Sequence, residues 1–427
     1  MDTIFALATA QGRAGVSVIR ISGPDAFASA QALCGTLPAL RQAGLRALYD
    51  DQGELLDQAL VLAFAAPNSF TGEDVVELHL HGSIAVVAAV LRGLGQGSAR
   101  MAEAGEFTRR ALENDKMDLA QVEGLGDLIE SETEGQRRQA LRVLDGALGQ
   151  KIEGWRASLI RAASLIEVTI DFADEEVPVD VSPEVISLLG SVFNEVQVEL
   201  NGFAAAERIR TGFEIAIIGP PNAGKSTLLN ALAKRDAAIT SERAGTTRDV
   251  IEVRMDLNGY AVTLLDTAGL RDGGDDVEVI GIQRAVQRAE SADLRVFLHE
   301  PTEELPVAMR ESDIRVAPKA DMRADDIFAI SGKTGEGIVE LTDRITDALG
   351  SMTASAGLAT HARHRDAMAA SLQALYIAQN CVGNGPDQYD IAAEEIRSAI
   401  RSLETLVGRI DVENLLDEIF SSFCLGK

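Results

Sequence analysis

The sequence predicts a multidomain protein that is α+β at its N-terminus and α/β in its middle, with a helical domain split between two segments. Three observations predict this organisation. The 427 residues suffice for about two to four domains. The spacing of apolar residues changes along the chain, and short β-branched runs alternate with helical stretches in its middle. We place the segments at residues 1–116, 117–210, 211–350 and 351–427.

The first segment is predicted to be an α+β domain because it mixes β-type runs with one helical run. The stretch Ser83–Leu94 is apolar without strict alternation, which favours a helix, and turn-forming residues separate two of the β-type runs. The predicted strands are Val16–Ile21, Leu45–Tyr49, Ala59–Phe64 and Val75–Leu80.

Amphipathic helices are predicted on both sides of the middle segment. Apolar residues recur there every three or four positions, as in Leu141, Leu144 and Leu148 before it and Ile396, Ile400 and Leu403 after it. Small residues at 351–359 resemble a linker. Because each half has an apolar stripe that needs cover, we expect the two halves to pack together.

The inserted middle segment shows the strand–helix alternation of a parallel sheet. We therefore expect an α/β domain inserted into a helical domain. Its predicted strands are Phe213–Ile218, Val262–Leu265, Leu294–Leu298, Ile314–Val316 and Ile327–Ile330.

Composition restricts the class of protein. Asp and Glu number 66 against 39 Lys and Arg, a formal net charge of −27, so the surface should repel phosphate backbones unless a local patch or a partner intervenes. No apolar run is long enough to span a membrane, and the N-terminus lacks a basic secretory region. The 3 scattered cysteines suit a reducing compartment. We expect a cytoplasmic protein without membrane contact.

A phosphate-binding loop is predicted at Gly219–Ser226, which fits the pattern G-x-x-x-x-G-K-[ST] between a strand and a helix. Glycines let backbone N–H groups surround phosphate oxygens, and Lys225 adds positive charge. The Ser226 hydroxyl is placed to ligate Mg²⁺. The other expected GTP contacts of this loop are Asn222, Ala223, Gly224 and Thr227.

A second phosphate-sensing element follows the strand ending at Leu265. Its residues Asp266, Thr267, Ala268 and Gly269 form D-x-x-G, where a carboxylate holds Mg²⁺ through water and the Gly N–H meets the γ-phosphate. Between the two motifs, Thr247 offers a second hydroxyl ligand to Mg²⁺. Together these patterns predict a Ras-like P-loop GTPase domain.

Guanine selection is assigned to Asp321, whose carboxylate accepts hydrogen bonds from the base, with Lys319 beside it. GTPases usually have Asn one position before this Lys, and here Pro318 stands there, so one amide contact, worth roughly 0.5–1.5 kcal/mol, is missing. We expect weaker nucleotide affinity with guanine preference retained. The last base-contacting loop is Ser331, Gly332 and Lys333.

Longer motifs in all three zones resemble the tRNA modification GTPase MnmE (TrmE) family. In the GTPase segment these are PNAGKSTLLNAL, AGTTRD and DTAGLR, and the chain ends in IFSSFCLGK. The first segment contributes GRAGVSVIRISG, FTGEDVVELHLHG and GEFTRRALENDKMDLAQVE. The resemblance therefore extends over the whole chain.

The resemblance implies a potassium-dependent GTPase that acts with a flavoprotein, MnmG, to install an aminomethyl or carboxymethylaminomethyl group at C5 of the wobble uridine in tRNA. It also implies a homodimer formed through the first domain, and 5-formyltetrahydrofolate or a related folate bound there. The implied cofactors are GTP, Mg²⁺, K⁺ and the folate. A tRNA-binding partner also reconciles the net acidity with an RNA substrate.

The resemblance further implies how hydrolysis is catalysed. Leu270 stands where many small GTPases have a water-orienting Gln, and the family instead uses a Glu that matches Glu278. The alternative for Glu278 is a solvated acid on a helix with Asp275 and Asp276. The transition-state charge is met by K⁺, and its implied ligands are Asn222, Ser241, Arg243 and Thr246.

For the folate, the family motifs match Arg20, Glu77, Lys116 and Lys427. A carboxylate suits an aminopyrimidine face, and cations suit a glutamate tail. Arg20 and Glu77 also lie in predicted strands, so a purely structural cross-strand pair is the alternative.

Two alternatives stay open. The chain is either an enzyme of tRNA modification or a GTP-controlled switch in ribosome assembly, which would not need the folate motifs or the FCLGK tail.

The basic residues of two helical stretches also have two interpretations. They either contact tRNA or form a helix face balanced by Glu132 and Glu134, and we favour the second. These residues are the arginines at 109, 110, 137, 138 and 142.

Overall fold

The fold was analysed in a computed structural model. It describes residues 2–171, 180–220, 222–235, 252–266, 290–300, 308–324, 327–409, 419–420, 423 and 426. The chain forms two compact units, one of residues 1–126 with 404–427 and the other of residues 127–403. Among the described residues, no helix combines the length and apolar character needed to cross a membrane.

The first unit is built on a mixed six-stranded sheet of order β3-β4-β5-β2-β1-β6, in which β6 is parallel to β1 and the other pairs are antiparallel. Its strands are β1 Ile4–Leu7, β2 Val16–Ser22, β3 Gly44–Tyr49, β4 Leu55–Phe64, β5 Val75–His81 and β6 Arg100–Met101. Its helices are α1 Ala26–Cys34, α2 Ile84–Leu94 and α3 Glu106–Glu113, and α4 Leu119–Glu130 follows.

Side-chain alternation on β2 and β5 gives this sheet two different faces. Ile19, Ile21, Leu78 and Leu80 lie on the face that packs against α1 and α2 and are at most 1% exposed. The residues that alternate with them, including Arg20 and Glu77, lie on the opposite face, where Phe107 of α3 contributes to a smaller core. Arg20 and Glu77 therefore lie on one face of a sheet whose other face is apolar and buried.

The second unit combines a parallel sheet with long helices. The sheet order is β12-β11-β10-β7-β9-β8, and all pairs are parallel except β8 with β9. The strands are β7 Phe213–Ile218, β8 Glu252–Leu257, β9 Tyr260–Asp266, β10 Leu294–Leu298, β11 Ile314–Pro318 and β12 Ala329–Ile330. The helices are α5 Glu134–Leu144, α6 Ala147–Asp171, α7 Ser182–Asn201, α8 Phe203–Thr211, α9 Lys225–Arg235, α10 Ile338–Thr353, α11 Ala362–Asn384 and α12 Tyr389–Glu404.

Helices from before and after the α/β segment pack on each other, as the two apolar stripes predicted. Helix α7 lies against both α6 and α11. The Ser182 hydroxyl and the Tyr389 hydroxyl, which are 207 positions apart in sequence, are 2.6 Å from each other. The expected linker at 351–359 is only partly correct, because α10 continues through Thr353. The four-segment division itself stays a prediction.

Candidate nucleotide and folate sites

The predicted phosphate-binding loop lies between β7 and α9. Its backbone turns through left-handed conformations at Asn222, with φ 63°, and Gly224, with φ 97°. Among the described residues, no atom lies within 4 Å of a Cβ built on Gly224, so what they show to favour glycine here is the left-handed backbone. Such alternation directs successive N–H groups into one concavity, which suits an anion.

Lys225 begins α9 and is only 7% exposed. Its ammonium donates hydrogen bonds to the carbonyl oxygens of Gly219 at 2.7 Å and Pro220 at 3.0 Å. These acceptors hold the cation at the loop, although burial disfavours an unmatched charge. Ser226 and Thr227 follow in the first helical turn and are exposed. A cation, two hydroxyls and a helix N-terminus therefore converge at one place, which fits a nucleotide phosphate with its Mg²⁺.

The predicted base loop packs against the start of this helix. A Cβ on Gly332 would lie 2.8 Å from the backbone N of Leu228 and 2.8 Å from the carbonyl carbon of Thr227. Ser331 is buried, and its hydroxyl accepts a hydrogen bond from the Thr334 N–H at 3.2 Å. Residues more than 100 positions apart in sequence are thus brought together at α9.

The other base-recognition residues follow β11. Pro318 ends that strand and is buried, Lys319 is left-handed with φ 57°, and Asp321 is exposed in a 3-10 turn, Ala320–Met322. Pro318 pairs in register with Ile330, which directly precedes Ser331. The two segments predicted to contact the base therefore follow neighbouring parallel strands, at the same end of the sheet.

Several predicted site residues lie outside the described part of the chain. Asp266 ends β9 beside Ile217 of β7, but its side chain is not described. The others are the proposed Mg²⁺ ligand, three K⁺ ligands, the D-x-x-G residues and the water-orienting acid: Thr247, Ser241, Arg243, Thr246, Thr267, Ala268, Gly269 and Glu278.

In the first unit, Arg20 and Glu77 are direct cross-strand neighbours of β2 and β5. The Arg20 Nε and one terminal nitrogen donate to Glu77 Oε1 at 3.0 and 2.9 Å. The guanidinium lies 4.9 Å from the ring centre of Phe70 and 5.8 Å from that of Phe107. The pair anticipated from the strand assignment is thus present, between two aromatic rings that sequence reasoning missed.

The other two residues predicted to bind folate are Lys116 and Lys427. Lys116 is exposed, and a Cβ on Gly72 would lie 3.0 Å from its Cε. Lys427 is outside the described residues, but a Cβ on the preceding Gly426 would clash with the Leu7 carbonyl oxygen on β1. Since Ala6 of β1 is the cross-strand neighbour of Arg20, Gly426 lies beside the strand that pairs with the Arg20 strand.

His79 is a further polar residue at this site that the sequence analysis did not identify. It follows Glu77 by two positions on the same face of β5, and its Nε2 lies 3.5 Å from Glu77 Oε2. The period-2 spacing of His79 from Glu77 is the sequence signal that could have placed it on this face.

Two sequence-family models match the chain. "GTP-binding protein TrmE N-terminus" matches residues 3–116, and "MnmE helical domain" matches residues 119–424. This chain belongs to the MnmE family. Its relatives include proteins named tRNA modification GTPase MnmE from Roseobacter denitrificans, 65% identical, and Ruegeria pomeroyi, 63% identical, with 100% of both chains covered in each case.

Solved structures resembling this MnmE-family chain match only part of it. The G domain of the T. maritima FeoB iron transporter is 24% identical, with TM-score 0.24, covering 32% of this chain and 98% of that one. A GTP-binding protein from Sulfolobus solfataricus in complex with GDP is 13% identical, with TM-score 0.26, covering 62% of this chain and 76% of that one.

Proposed function

We propose that this chain is a GTP-hydrolysing enzyme that acts in tRNA modification in the cytoplasm. The carrying observation is the phosphate loop with buried Lys225, in a chain that matches tRNA modification GTPases over its full length. The loop and Lys225 suit the phosphate groups of GTP. Membership of the family supports tRNA modification as the process in which GTP is hydrolysed.

Within the proposed nucleotide site, residues 222–227 bind the phosphates, and Ser226 with Thr247 holds Mg²⁺. Bound Mg²⁺ supplies positive charge to the phosphate oxygens during hydrolysis. Asp321 and Lys319 contact the guanine, together with the loop Ser331–Lys333. The close packing of Gly332 on α9 supports placing the base beside the phosphate loop.

For hydrolysis we assign the orientation of attacking water to Glu278 and the K⁺ site to Asn222, Ser241, Arg243 and Thr246. Asn222 has an exposed side chain on a left-handed backbone at the loop, which suits a ligand to a cation bound there. The motif matches to the family support the remaining assignments.

The first unit is proposed to bind 5-formyltetrahydrofolate or a related folate through Arg20, Glu77, Lys116 and Lys427. The Arg20–Glu77 pair is about one-fifth exposed and lies between Phe70 and Phe107, so it offers charge and ring surfaces together. The position of Gly426 beside β1 supports a contribution from the chain end.

The homodimer is proposed to form through the sheet edge of this unit. On the edge strand β3 and its neighbour β4, Leu45 is 65% exposed, and Leu60, its cross-strand neighbour, is 39% exposed. Tyr49 and Leu55 extend this exposed apolar strip. MnmG and tRNA are the further proposed partners.

GTP hydrolysis by the full-length chain tests the enzymatic part of the proposal. We expect hydrolysis of GTP but not ATP, and faster turnover in K⁺ than in Na⁺. Lys225→Ala should weaken GTP binding roughly tenfold or more, because a charge-assisted contact is lost. Arg161→Ala, which removes an exposed cation from α6, should bind GTP normally. Equal rates in the two salts would remove the K⁺ assignment, and equal use of ATP would remove the guanine assignment.

A further inference from the structure

Three polar side chains lie next to one another on one face of the first unit's sheet. Arg20 of β2 is the cross-strand neighbour of Glu77 on β5, and His79 follows Glu77 by two positions on the same strand. Residues two positions apart on a strand share a face, so His79 extends the Arg20–Glu77 pair into a row of three. The side chains are 18%, 19% and 28% exposed respectively, so this row is partly buried and partly open to solvent.

The two oxygens of the Glu77 carboxylate have different partners. Arg20 donates to Oε1 through Nε and one terminal nitrogen, at 3.0 and 2.9 Å. The partner of Oε2 is His79, whose Nε2 lies 3.5 Å away. A carboxylate has about four lone-pair sites, and these contacts leave acceptor capacity unused. Glu77 is therefore held at both oxygens and is still able to accept a hydrogen bond from a ligand.

The surroundings of the His79 ring favour a contact with Glu77. Nε2 is buried and makes no hydrogen bond with any described residue, so the Glu77 oxygen at 3.5 Å is the acceptor that the structure places beside it. The cross-strand neighbours of His79 are Val18 and Leu60, whose side chains cannot accept. A buried N–H without an acceptor is costly, which favours a shorter contact with Glu77. Because Nε2 is buried, this nitrogen acts on Glu77 and not directly on a ligand.

The next histidine on this face has a different carboxylate. His81 follows His79 by two positions, its Nδ1 lies 2.7 Å from Asp57 Oδ1, and its side chain is 74% exposed. Its backbone N–H also donates to Asp57 Oδ2, at 2.9 Å. His81 is therefore a surface partner of Asp57, whereas His79 lies beside the Arg20–Glu77 pair. These two histidines of one strand provide a matched comparison for experiment.

We propose that His79 is a positioning residue of the folate site. Its Nε2–H donates to Glu77 Oε2 while Arg20 holds Oε1, so the plane of the carboxylate is fixed before the ligand binds. The aminopyrimidine edge of a folate presents neighbouring N–H donors, and a carboxylate accepts from two such donors only when it is correctly oriented. Supporting contacts of this kind set the precision of a binding site. This role rests on the proposed folate binding and adds to it the residue that orients Glu77.

Calorimetric titration of the full-length protein with 5-formyltetrahydrofolate tests this role. His79→Asn shortens the side chain so that it no longer reaches Glu77 Oε2, and it should weaken binding about tenfold, as the loss of a hydrogen bond to a charged group does. His79→Gln places an amide N–H near the position of Nε2 and should retain most of the affinity. His81→Asn is the matched control on the same strand and face, and it should bind as the wild type does.

A double-mutant cycle determines whether His79 acts through Glu77. Glu77→Ala removes the carboxylate and should weaken binding by itself. In that background His79→Asn should cause less than about a twofold further loss, because no carboxylate remains for His79 to orient. Melting temperatures of all the variants, measured alongside, separate a loss of binding from a loss of folding.

The outcomes distinguish the folate site from the role of His79. Absence of 5-formyltetrahydrofolate binding to the wild type removes the proposed folate site and the role of His79 with it. If the wild type binds, three results overturn the role of His79 and leave the folate site standing. These are unchanged affinity in His79→Asn, equal weakening in His79→Asn and His79→Gln, and additive weakening in the double mutant.

Discussion

At the scale of single residues, three buried cations are each matched by oxygen acceptors. Lys225 uses backbone carbonyls, Arg295 uses the carboxylate of Asp313, and Arg110 contacts several acids of the first unit. Burying a charge is tolerated only when such partners are present. Arg110 is thereby committed to structure and not to tRNA.

Acid should weaken the first unit through Glu106. Burial raises the pKa of Glu106, but hydrogen bonds from Arg100 and Arg110 outweigh burial and lower it below its usual 4.5. A depressed pKa stabilises the fold above the unfolded value, and this contribution is lost as pH falls through the folded value. We expect the melting temperature to fall more between pH 7 and pH 4 in the wild type than in Glu106→Gln. Identical pH profiles would contradict this role.

Removing Arg295 should destabilise the second unit strongly. Its guanidinium is 2% exposed and lies 2.5 Å from the fully buried Asp313 carboxylate. Arg295→Met leaves that carboxylate uncompensated, which we expect to cost about 3–5 kcal/mol in urea unfolding. Arg161→Met, at an exposed pair with Glu184, should change stability by less than about 1 kcal/mol. A similar small effect from both variants would refute the prediction.

Sites formed by residues that are consecutive in sequence were the easiest to predict. The phosphate loop occupies eight consecutive residues, so its motif alone indicated the site. The aromatic rings of Phe70 and Phe107 beside Arg20 had no such signal, because both residues are far from Arg20 in sequence.

At the scale of elements, the β8–β9 hairpin lies between the predicted phosphate-sensing segments in sequence and contacts two helices. Its turn, Asn258 and Gly259, has φ values of 50° and 93°. The Gly259 carbonyl accepts from the Gly135 N–H of α5 at 3.0 Å, and the Asn258 amide donates to Thr346 of α10 at 3.0 Å. The strand after the turn ends at Asp266, so the hairpin extends from α5 to a residue of the proposed GTP site.

Gly135→Ala should disturb this contact. A Cβ there would lie 2.7 Å from the Gly259 carbonyl oxygen, so the hairpin or α5 must shift. We expect a loss of about 1–3 kcal/mol in stability, measured by urea unfolding. Gly383→Ala is the matched control, because a Cβ at this position of α11 has no atom of the described residues within 4 Å. Because alanine favours helix, the control should be neutral or slightly stabilising. Equal behaviour of the two variants would exclude the steric contact.

Element positions were predictable where the apolar pattern was strong. Strands β7 and β10 have the predicted bounds, whereas β4 begins earlier, at Leu55, and β12 is shorter than expected. Strands β1, β6 and β8 were not predicted. Strand β1 has four residues and β6 has two, too few for a periodic signal. Strand β8 alternates Arg254 and Asp256 with buried Met255 and Leu257, the period-2 pattern of a strand, so its signal was present in the sequence and was overlooked.

At the scale of the whole molecule, the charge distribution disfavours direct binding of the tRNA phosphate backbone. Arg137 and Arg138 both pair with Glu134, and their hydrogen bonds lower the pKa of that acid to about 2. These arginines form the balanced helix face that the sequence favoured over a phosphate-binding patch. With a net charge of −27, the chain is expected to depend on its proposed partner for most tRNA contact.

The most direct test of the proposed function is nucleoside mass spectrometry of tRNA from cells lacking this gene. We predict loss of the C5-modified wobble uridine, restored by the wild-type chain but not by Lys225→Ala or Glu278→Ala. Arg161→Ala should restore it as the wild type does. Unchanged tRNA nucleosides in the deletion strain would contradict the role in modification and favour a GTP-controlled switch in ribosome assembly.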